Sequence, residues 1–269
     1  MTLPGFAMNA SSFPLMYERF LVGPLFRPWA ETLIDHARLQ RGDRVLDVAC
    51  GTGIVARVAK ERLGETGGVV GVDVSPQMLA VAKAVAPQIE WREGNAQALP
   101  LADGERFDVV VCHQGLQFFP DKSAALDEMK RAVSPGGRTA VAVWRSLDDT
   151  PFVQELHQIA ERRLGTIADR RHSFGDRAAL EQVMTASGFI DVRVEALTRT
   201  IRFQDGAVFV RLNTMALVGM SQAASTLTED ERQRIVDAIV DDSAEVLQRY
   251  TDAQGLAFEL DANVATARA

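Results

Sequence analysis

The sequence predicts an α/β protein with a parallel sheet buried between helices, and three observations lead to that class. The first is the stretch from Arg44 to Ala56, where an apolar run (Val45-Leu46, then Val48 beyond one acid) passes through Gly51 and Gly53 into a helical pattern. An unbroken apolar run suits a strand covered on both faces, as strands of parallel sheets are. The second is the alternation of strand-like and helix-like segments from Val45 to Trp144, the order expected of consecutive β-α units. The third is the strict alternation of Leu256, Phe258, Leu260, Ala262 and Val264, which predicts a closing strand.

Length and composition narrow the function. The 269 residues suffice for one large domain, or for a core with a sizeable insertion. A formal net charge of −7 opposes a general nucleic-acid binder, whose surface must neutralise phosphates. Arg162-Arg163 and Arg170-Arg171-His172 are the local basic candidates, and they read as solvated charges. The two cysteines, Cys50 and Cys112, form no Cys-x-x-Cys pair, so neither a disulfide framework nor a metal site is expected. No basic-then-apolar leader opens the sequence, and no run is long enough to cross a bilayer. The expectation is a cytoplasmic protein with no nucleic-acid partner and no membrane insertion; a homo-oligomer stays open.

In chain order, residues 1–42 read as helical after a loose start, with one apolar face at Pro14–Phe20 and another at Trp29–His36. The strand Val45–Val48 and its glycine turn lead into a helix from Ile54 to Leu63, closed by Gly64. Gly68–Val74 reads as a second strand, after which Ser75-Pro76 supplies an N-cap and a first-turn proline for a helix from Gln77 to Val85. Gln88–Gly94 is the third strand. Phe107–Cys112, rich in β-branched residues, is the fourth. A helix from Lys122 to Val133, with Leu126, Met129 and Val133 on one face, precedes the turn Ser134-Pro135-Gly136-Gly137. The fifth strand then runs from Arg138 to Trp144.

Beyond Trp144 helices are expected near Pro151–Leu164 and Asp176–Ser187, with His157 and His172 at surface or hinge positions. Ile190, Val192, Val194 and Ala196 alternate, but Ile201 and Phe203 continue on the opposite parity, which predicts a bulge or break near Leu197–Arg199. Residues 205–252 are helical, with Phe209, Leu212, Ala216 and Met220 at helical spacing, and Thr228-x-x-Glu231 forms a capping box for the helix toward Tyr250.

The glycine turn admits two ligands. Gly51-x-Gly53-x-x-Ala56, followed by Asp73, fits the dinucleotide fingerprint. The fuller string Asp47-x-Ala49-x-Gly51-x-Gly53 resembles the first motif of class I S-adenosylmethionine (SAM) methyltransferases, with Ala49 where a glycine is usual. Charge favours the second reading: a pyrophosphate would be repelled by a carboxylate at the loop, whereas SAM carries an ammonium and a sulfonium. The resemblance covers about residues 42–145 and extends to the acid at Asp73, to Asn95-Ala96 and to the Pro135-Gly136-Gly137 turn. It is to the broad small-molecule family that contains the ubiquinone and menaquinone C-methyltransferases.

The resemblance implies a Rossmann-like sheet of seven strands, the last returning antiparallel beside the fifth, with helices on both faces and a helical cap. The implied division is an N-terminal cap over 1–42, a SAM-binding core over 43–204, a helical lid over 205–252 and the final strand over 253–269. It implies that Asp47, Ala49, Cys50, Gly51, Thr52 and Gly53 bind the cofactor, and that main-chain atoms around His113 and Gln114 meet the methionine portion of SAM. Asp73 would hold the ribose hydroxyls, since one carboxylate offers two acceptors. Val74 and Met78 would bracket the adenine, and Asn95, Ala96 and Gln97 would read its edge. His113 and Gln114 follow the fourth strand, at the carboxyl edge where ligands of open α/β sheets bind. His113 is the candidate general base as well as a cofactor contact, while Tyr17, Phe20, Gln117, Trp144 and Met215 are candidates for the acceptor pocket.

The function these features imply is SAM-dependent methylation of an oxygen, nitrogen or carbon of a small organic molecule, without a metal. An NAD-dependent oxidoreductase and a non-catalytic SAM-fold binding protein are the alternatives.

Overall fold

The computed structural model describes residues 13–269. The elements in chain order begin with a single helical turn α1 (Phe13–Met16), a π-helical stretch (Tyr17–Phe26) and α2 (Arg27–Ala37). There follow β1 (Arg44–Val48), α3 (Ile54–Leu63), β2 (Gly68–Asp73), α4 (Pro76–Val85), β3 (Glu90–Glu93), β4 (Phe107–His113), α5 (Lys122–Ala132) and β5 (Val133–Trp144). The remainder comprises α6 (Pro151–Leu164), α7 (Arg177–Ala186), β6 (Ile190–Phe203), α8 (Gly206–Met220), α9 (Glu229–Asp242), α10 (Ala244–Arg249), β7 (Thr251–Asp252) and β8 (Gly255–Arg268).

The strands form one sheet in the order β3-β2-β1-β4-β5-β8-β6, with the two-residue β7 paired to β8. Strands β1 to β5 pair in parallel, and β8 returns antiparallel to β5, with Trp144 opposite Ala262. The seven-stranded path and the antiparallel closing strand are therefore those expected. Crossover helices cover the central strands, and this explains why Val45, Leu46 and Val48 of β1 and Val109, Val110 and Val111 of β4 are wholly buried.

The chain divides into two compact units. One comprises residues 26–145, 174–197 and 262–269; it holds the parallel strands and a core that runs from Leu46 and Val72 through Leu126, Met129 and Met184 to Ala265. The other comprises the described residues up to Leu25, then 146–173 and 198–261. Its helices α6, α8 and α9 pack together, and Phe152, Phe203, Phe209, Phe258 and Tyr250 form its aromatic core, with ring centroids 4.7–5.9 Å apart. No helix among the described residues is long and apolar enough to cross a membrane.

Several local expectations are met by the capping chemistry. Ser75 Oγ accepts a hydrogen bond from Met78 N–H at 3.3 Å, and the Thr228/Glu231 box closes in both directions. Others are corrected. Of the bulge or break expected near Leu197–Arg199 the break does not occur, since β6 runs from Ile190 to Phe203. Its parity still switches, because Val192 and Val194 pack in the sheet unit while Ile201 and Phe203 are buried in the helical one. Strand β5 begins at Val133 rather than after the Pro-Gly-Gly turn: Ser134, Pro135, Gly136 and Gly137 stand opposite Asp108 alone, between the pairs Phe107–Val133 and Val109–Arg138. The helix expected from Thr228 to Tyr250 divides at Ser243, whose hydroxyl donates to Ile239 O at 2.7 Å.

His157 is also misplaced by the surface expectation. It lies on the buried face of α6 with Phe152, Val153 and Leu156, its Nε2 3.3 Å from Ile167 O. One arginine of each basic run is ion-paired: Arg163 binds Asp242, and Arg171 forks onto Asp169.

Candidate active site at the carboxyl edge of the sheet

The turn between β1 and α3 is built from alternating left-handed residues. Ala49, Gly51 and Gly53 have φ of +59°, +56° and +86°. At Ala49 this conformation costs a side chain about 1–2 kcal/mol, so the usual glycine there is replaced at an energetic expense rather than freely. At Gly51 a Cβ would meet nothing within 4 Å, leaving the main chain open to a ligand. At Gly53 a Cβ would run into the Trp91 ring of β3. That indole is anchored by its own N–H, which donates to Ala86 O at 3.0 Å.

Two carboxyls hold this turn. Asp47 is buried, and its Oδ2 accepts from Ala56 N–H at 3.0 Å, while Oδ1 is enclosed without a hydrogen-bond partner. Burial pushes its pKa up to about 8; the Ala56 N–H opposes that rise, and the neighbouring Asp73 charge adds to it. Asp73 ends β2, and both its oxygens bind main chain: Oδ2 accepts from Gly51 N–H at 2.7 Å, Oδ1 from Ser75 N–H at 2.8 Å. Burial raises its pKa also, against the pull of those N–H groups. Thr52 Oγ1 is enclosed and without a partner. The thiols of Cys50 and Cys112 are held protonated by burial first and by the Asp47 charge second.

Beyond Asp73 the surface turns apolar and open. Val74 is 69% exposed, an unusual position for valine at a strand end, and Met78 is half-buried in the first turn of α4. Asn95 forms an Asx turn, its Oδ1 accepting from Gln97 N–H at 2.9 Å, which uses the acceptor side of the amide. Ala96 belongs to the core behind it.

The end of β4 lies next to the glycine turn, since β1 and β4 pair in parallel and a Cβ at Gly115 would be 2.7 Å from Ala49 Cβ. His113 is buried here between rings: Phe26 at 6.3 Å and Trp144 at 6.4 Å both meet it edge-on, and Trp29 meets Trp144 at 5.7 Å. Burial alone lowers the His113 pKa to about 3, so the ring is neutral. Gln114 is left-handed at φ +55°, and its N–H donates to Ala142 O at 2.8 Å, leaving only its carbonyl from the main chain for a ligand. Gln117 Nε2 donates to Gln114 Oε1 at 3.1 Å.

The structure thus gathers Asp47, Ala49–Gly53, Asp73, Val74, Met78, His113, Gln114, Gln117 and Trp144 within the sheet unit. Tyr17, Phe20 and Met215 belong to the helical unit, where Tyr17 lies 6.2 Å from Phe13 and Arg19 covers Phe20. Phe26, Trp29 and Trp91 were not legible as site residues; a tryptophan at a strand or helix position reads as core, and only the fold reveals what its ring leans on. Among the described residues no group of three or more His, Cys, Asp or Glu side chains is placed to hold a metal.

Residues 45–137 match the methyltransferase-domain family. Over 142 residues the chain is 37% identical to the ubiquinone/menaquinone biosynthesis C-methyltransferase of Xanthomonas oryzae, covering 51% of this chain and 55% of that protein. Over 120 residues it is 38% identical to 2-phytyl-1,4-naphtoquinone methyltransferase of Thermosynechococcus vestitus, covering 44% and 53%. The chain therefore spans about half the length of the curated relatives it matches. In three dimensions it resembles Haemonchus contortus phosphoethanolamine N-methyltransferase 2, solved with phosphomonomethylethanolamine and S-adenosylhomocysteine. The TM-score is 0.60 at 20% identity, over 96% of this chain and 57% of that one, which shows a shared fold.

Proposed function

We propose, on the premise that residues 45–137 are a methyltransferase domain, that this chain binds SAM and transfers its methyl group to a small organic molecule. The observation that carries the proposal is the pair of buried carboxyls, Asp47 and Asp73, on one glycine turn whose main chain is open at Gly51. Such a turn suits a cationic cofactor, whose charge favours the ionised form of both carboxyls. Asp47 Oδ1, enclosed and unsatisfied, asks for exactly one more donor or cation. No observation favours a nicotinamide cofactor.

In this reading Asp47, Ala49, Cys50, Gly51, Thr52, Gly53 and the Gln114 carbonyl surround the methionine part. Asp73 takes the ribose: each of its oxygens already accepts one main-chain N–H and retains a lone pair for a hydroxyl. Val74 and Met78 offer apolar surface to the adenine, and the Asn95 amide N–H₂, with Ala96 and Gln97, meets its edge. SAM supplies an activated methyl group on a sulfonium. What the chain adds is orientation and exclusion of water around that group.

His113 is the candidate to receive the acceptor's proton. A ring with a pKa of about 3 is a weak base, which supports a neutral wall for the acceptor over proton abstraction. Gln117 and Trp144 of the sheet unit are proposed for the acceptor pocket.

Calorimetric titration with SAM, S-adenosylhomocysteine and NAD tests the cofactor assignment, and mass spectrometry of a small-molecule acceptor library incubated with SAM tests transfer. Binding of SAM without any methylated product would leave a binding protein in place of an enzyme. Binding of NAD alone would overturn the proposal.

A further inference from the structure

Three polar atoms at the end of β4 are enclosed without hydrogen-bond partners: His113 Nε2, Gln114 Nε2 and Gln117 Oε1. Their residues are 8%, 8% and 3% exposed. Buried polar groups in folded proteins are nearly always satisfied. Three such atoms within five residues mark a surface that no other described residue completes.

The chemistry of the pair restricts what completes it. Gln117 Nε2 donates to Gln114 Oε1 at 3.1 Å, so one amide bond joins the two side chains and fixes their orientation. The pair is left with one free N–H₂ donor, on Gln114, and one free carbonyl acceptor, on Gln117. Exchanging oxygen and nitrogen in both amides would reverse the internal bond and leave the same count, one donor and one acceptor. The groups therefore complement a partner that carries an acceptor beside a donor.

The wall beside the His113 ring is apolar among the described residues, and burial is what lowers its pKa. Phe26 and Trp144 face it edge-on. An ion placed against this wall would be desolvated without a counter-charge.

We infer that Gln114 and Gln117, beside the His113 ring, select the methyl acceptor, and that they fit an uncharged planar molecule carrying a hydrogen-bond donor next to an acceptor, as a lactam or an enol beside a carbonyl does. The inference rests on the methyl-transfer reading and names its substrate class. The two glutamines are specificity-determining residues; no proton or methyl group passes through them.

The test uses isomeric probes and a readout independent of turnover. The full chain, saturated with S-adenosylhomocysteine, is titrated with 2-pyridone, 4-pyridone and benzoate while tryptophan fluorescence is followed, since Trp144 borders the site. 2-Pyridone places donor and acceptor side by side, 4-pyridone places them at opposite ends, and benzoate is an anion. Expected is a preference for 2-pyridone of about tenfold over both, the scale of one satisfied hydrogen-bond pair. Gln117→Leu is expected to bring the 2-pyridone/4-pyridone ratio near one with the SAM dissociation constant unchanged, and Gln117→Glu, which keeps the acceptor oxygen, to retain part of the preference. Circular dichroism checks that each variant folds. An isomer ratio near one in the unmodified chain overturns the inference while SAM binding leaves the methyl-transfer reading intact. Loss of SAM affinity in both glutamine variants assigns the pair to the cofactor and likewise overturns it. Failure of the unmodified chain to bind SAM overturns both.

Discussion

The Trp91 indole occupies the space in which a side chain at Gly53 would begin, so the second glycine of the turn is fixed by a ring from β3. The same ring fills the space beside Gly71 of β2. One tryptophan thus ties three consecutive features of the sheet edge together: the glycine turn, the strand that ends in Asp73, and β3.

Gly53→Ala is expected to destabilise the fold by about 1–3 kcal/mol through overpacking, with a further 1–2 kcal/mol from its left-handed backbone. Trp91→Leu in the same chain should recover the overpacking part and not the backbone part. Urea denaturation of both single variants and the double variant measures the coupling; additive effects would show that ring and turn are independent.

Asp73→Ala should weaken SAM binding by about 1–3 kcal/mol, the scale of a hydrogen bond to a charged group. It also frees Gly51 N–H and Ser75 N–H, both now bound to the carboxylate. Calorimetry of a variant that still folds decides this. An unchanged dissociation constant would remove Asp73 from the ribose site.

Asp47 makes the stability of the ligand-free protein depend on pH. Its folded pKa of about 8 lies above the ordinary value of 3.8, so folding favours the protonated form. The contribution is fully present below about pH 4 and is lost as pH rises through 8, a range whose ceiling is on the order of 5 kcal/mol. Asp47→Asn, which cannot ionise, should flatten this slope, gaining relative to the parent at pH 9 against pH 5. Thermal melts of both proteins without cofactor measure it. Parallel pH profiles would show that the Asp47 pKa does not change on folding.

His113→Gln should leave turnover within about tenfold and should not shift the pH–rate profile near neutrality, because a ring neutral down to about pH 3 has no proton to exchange there. Steady-state rates across pH 5–9 on the acceptor found by the library screen provide the test. A larger loss with SAM affinity retained would reinstate His113 as the base.

Much of the sheet unit was legible in the amino-acid order. The apolar run at Val45–Val48, the glycines that follow, the Ser75-Pro76 cap and the alternation from Leu256 to Val264 are local signals, each set by backbone sterics or by the period of one element. Where local rules met two environments they failed. The parity change in β6 reads as a break because periodicity assumes one buried face, and this strand buries residues in two units in turn. His157 reads as exposed for a similar reason: nothing adjacent in sequence reveals that Ile167 O will come to meet it.

By itself the sequence determined the strand–turn–helix unit, the acid at the end of β2 and the antiparallel closing strand, because each follows from spacing along the chain. Only the tertiary structure decided which groups lack partners and which share a wall. Trp91 reaches Gly53 from a different strand, and Phe26 and Trp144 enclose His113 from positions far apart in the chain. Burial, and with it the shifted pKa values of Asp47 and His113, depends on every element that excludes water from a point. That sum is taken in space, and no window of neighbouring residues contains it.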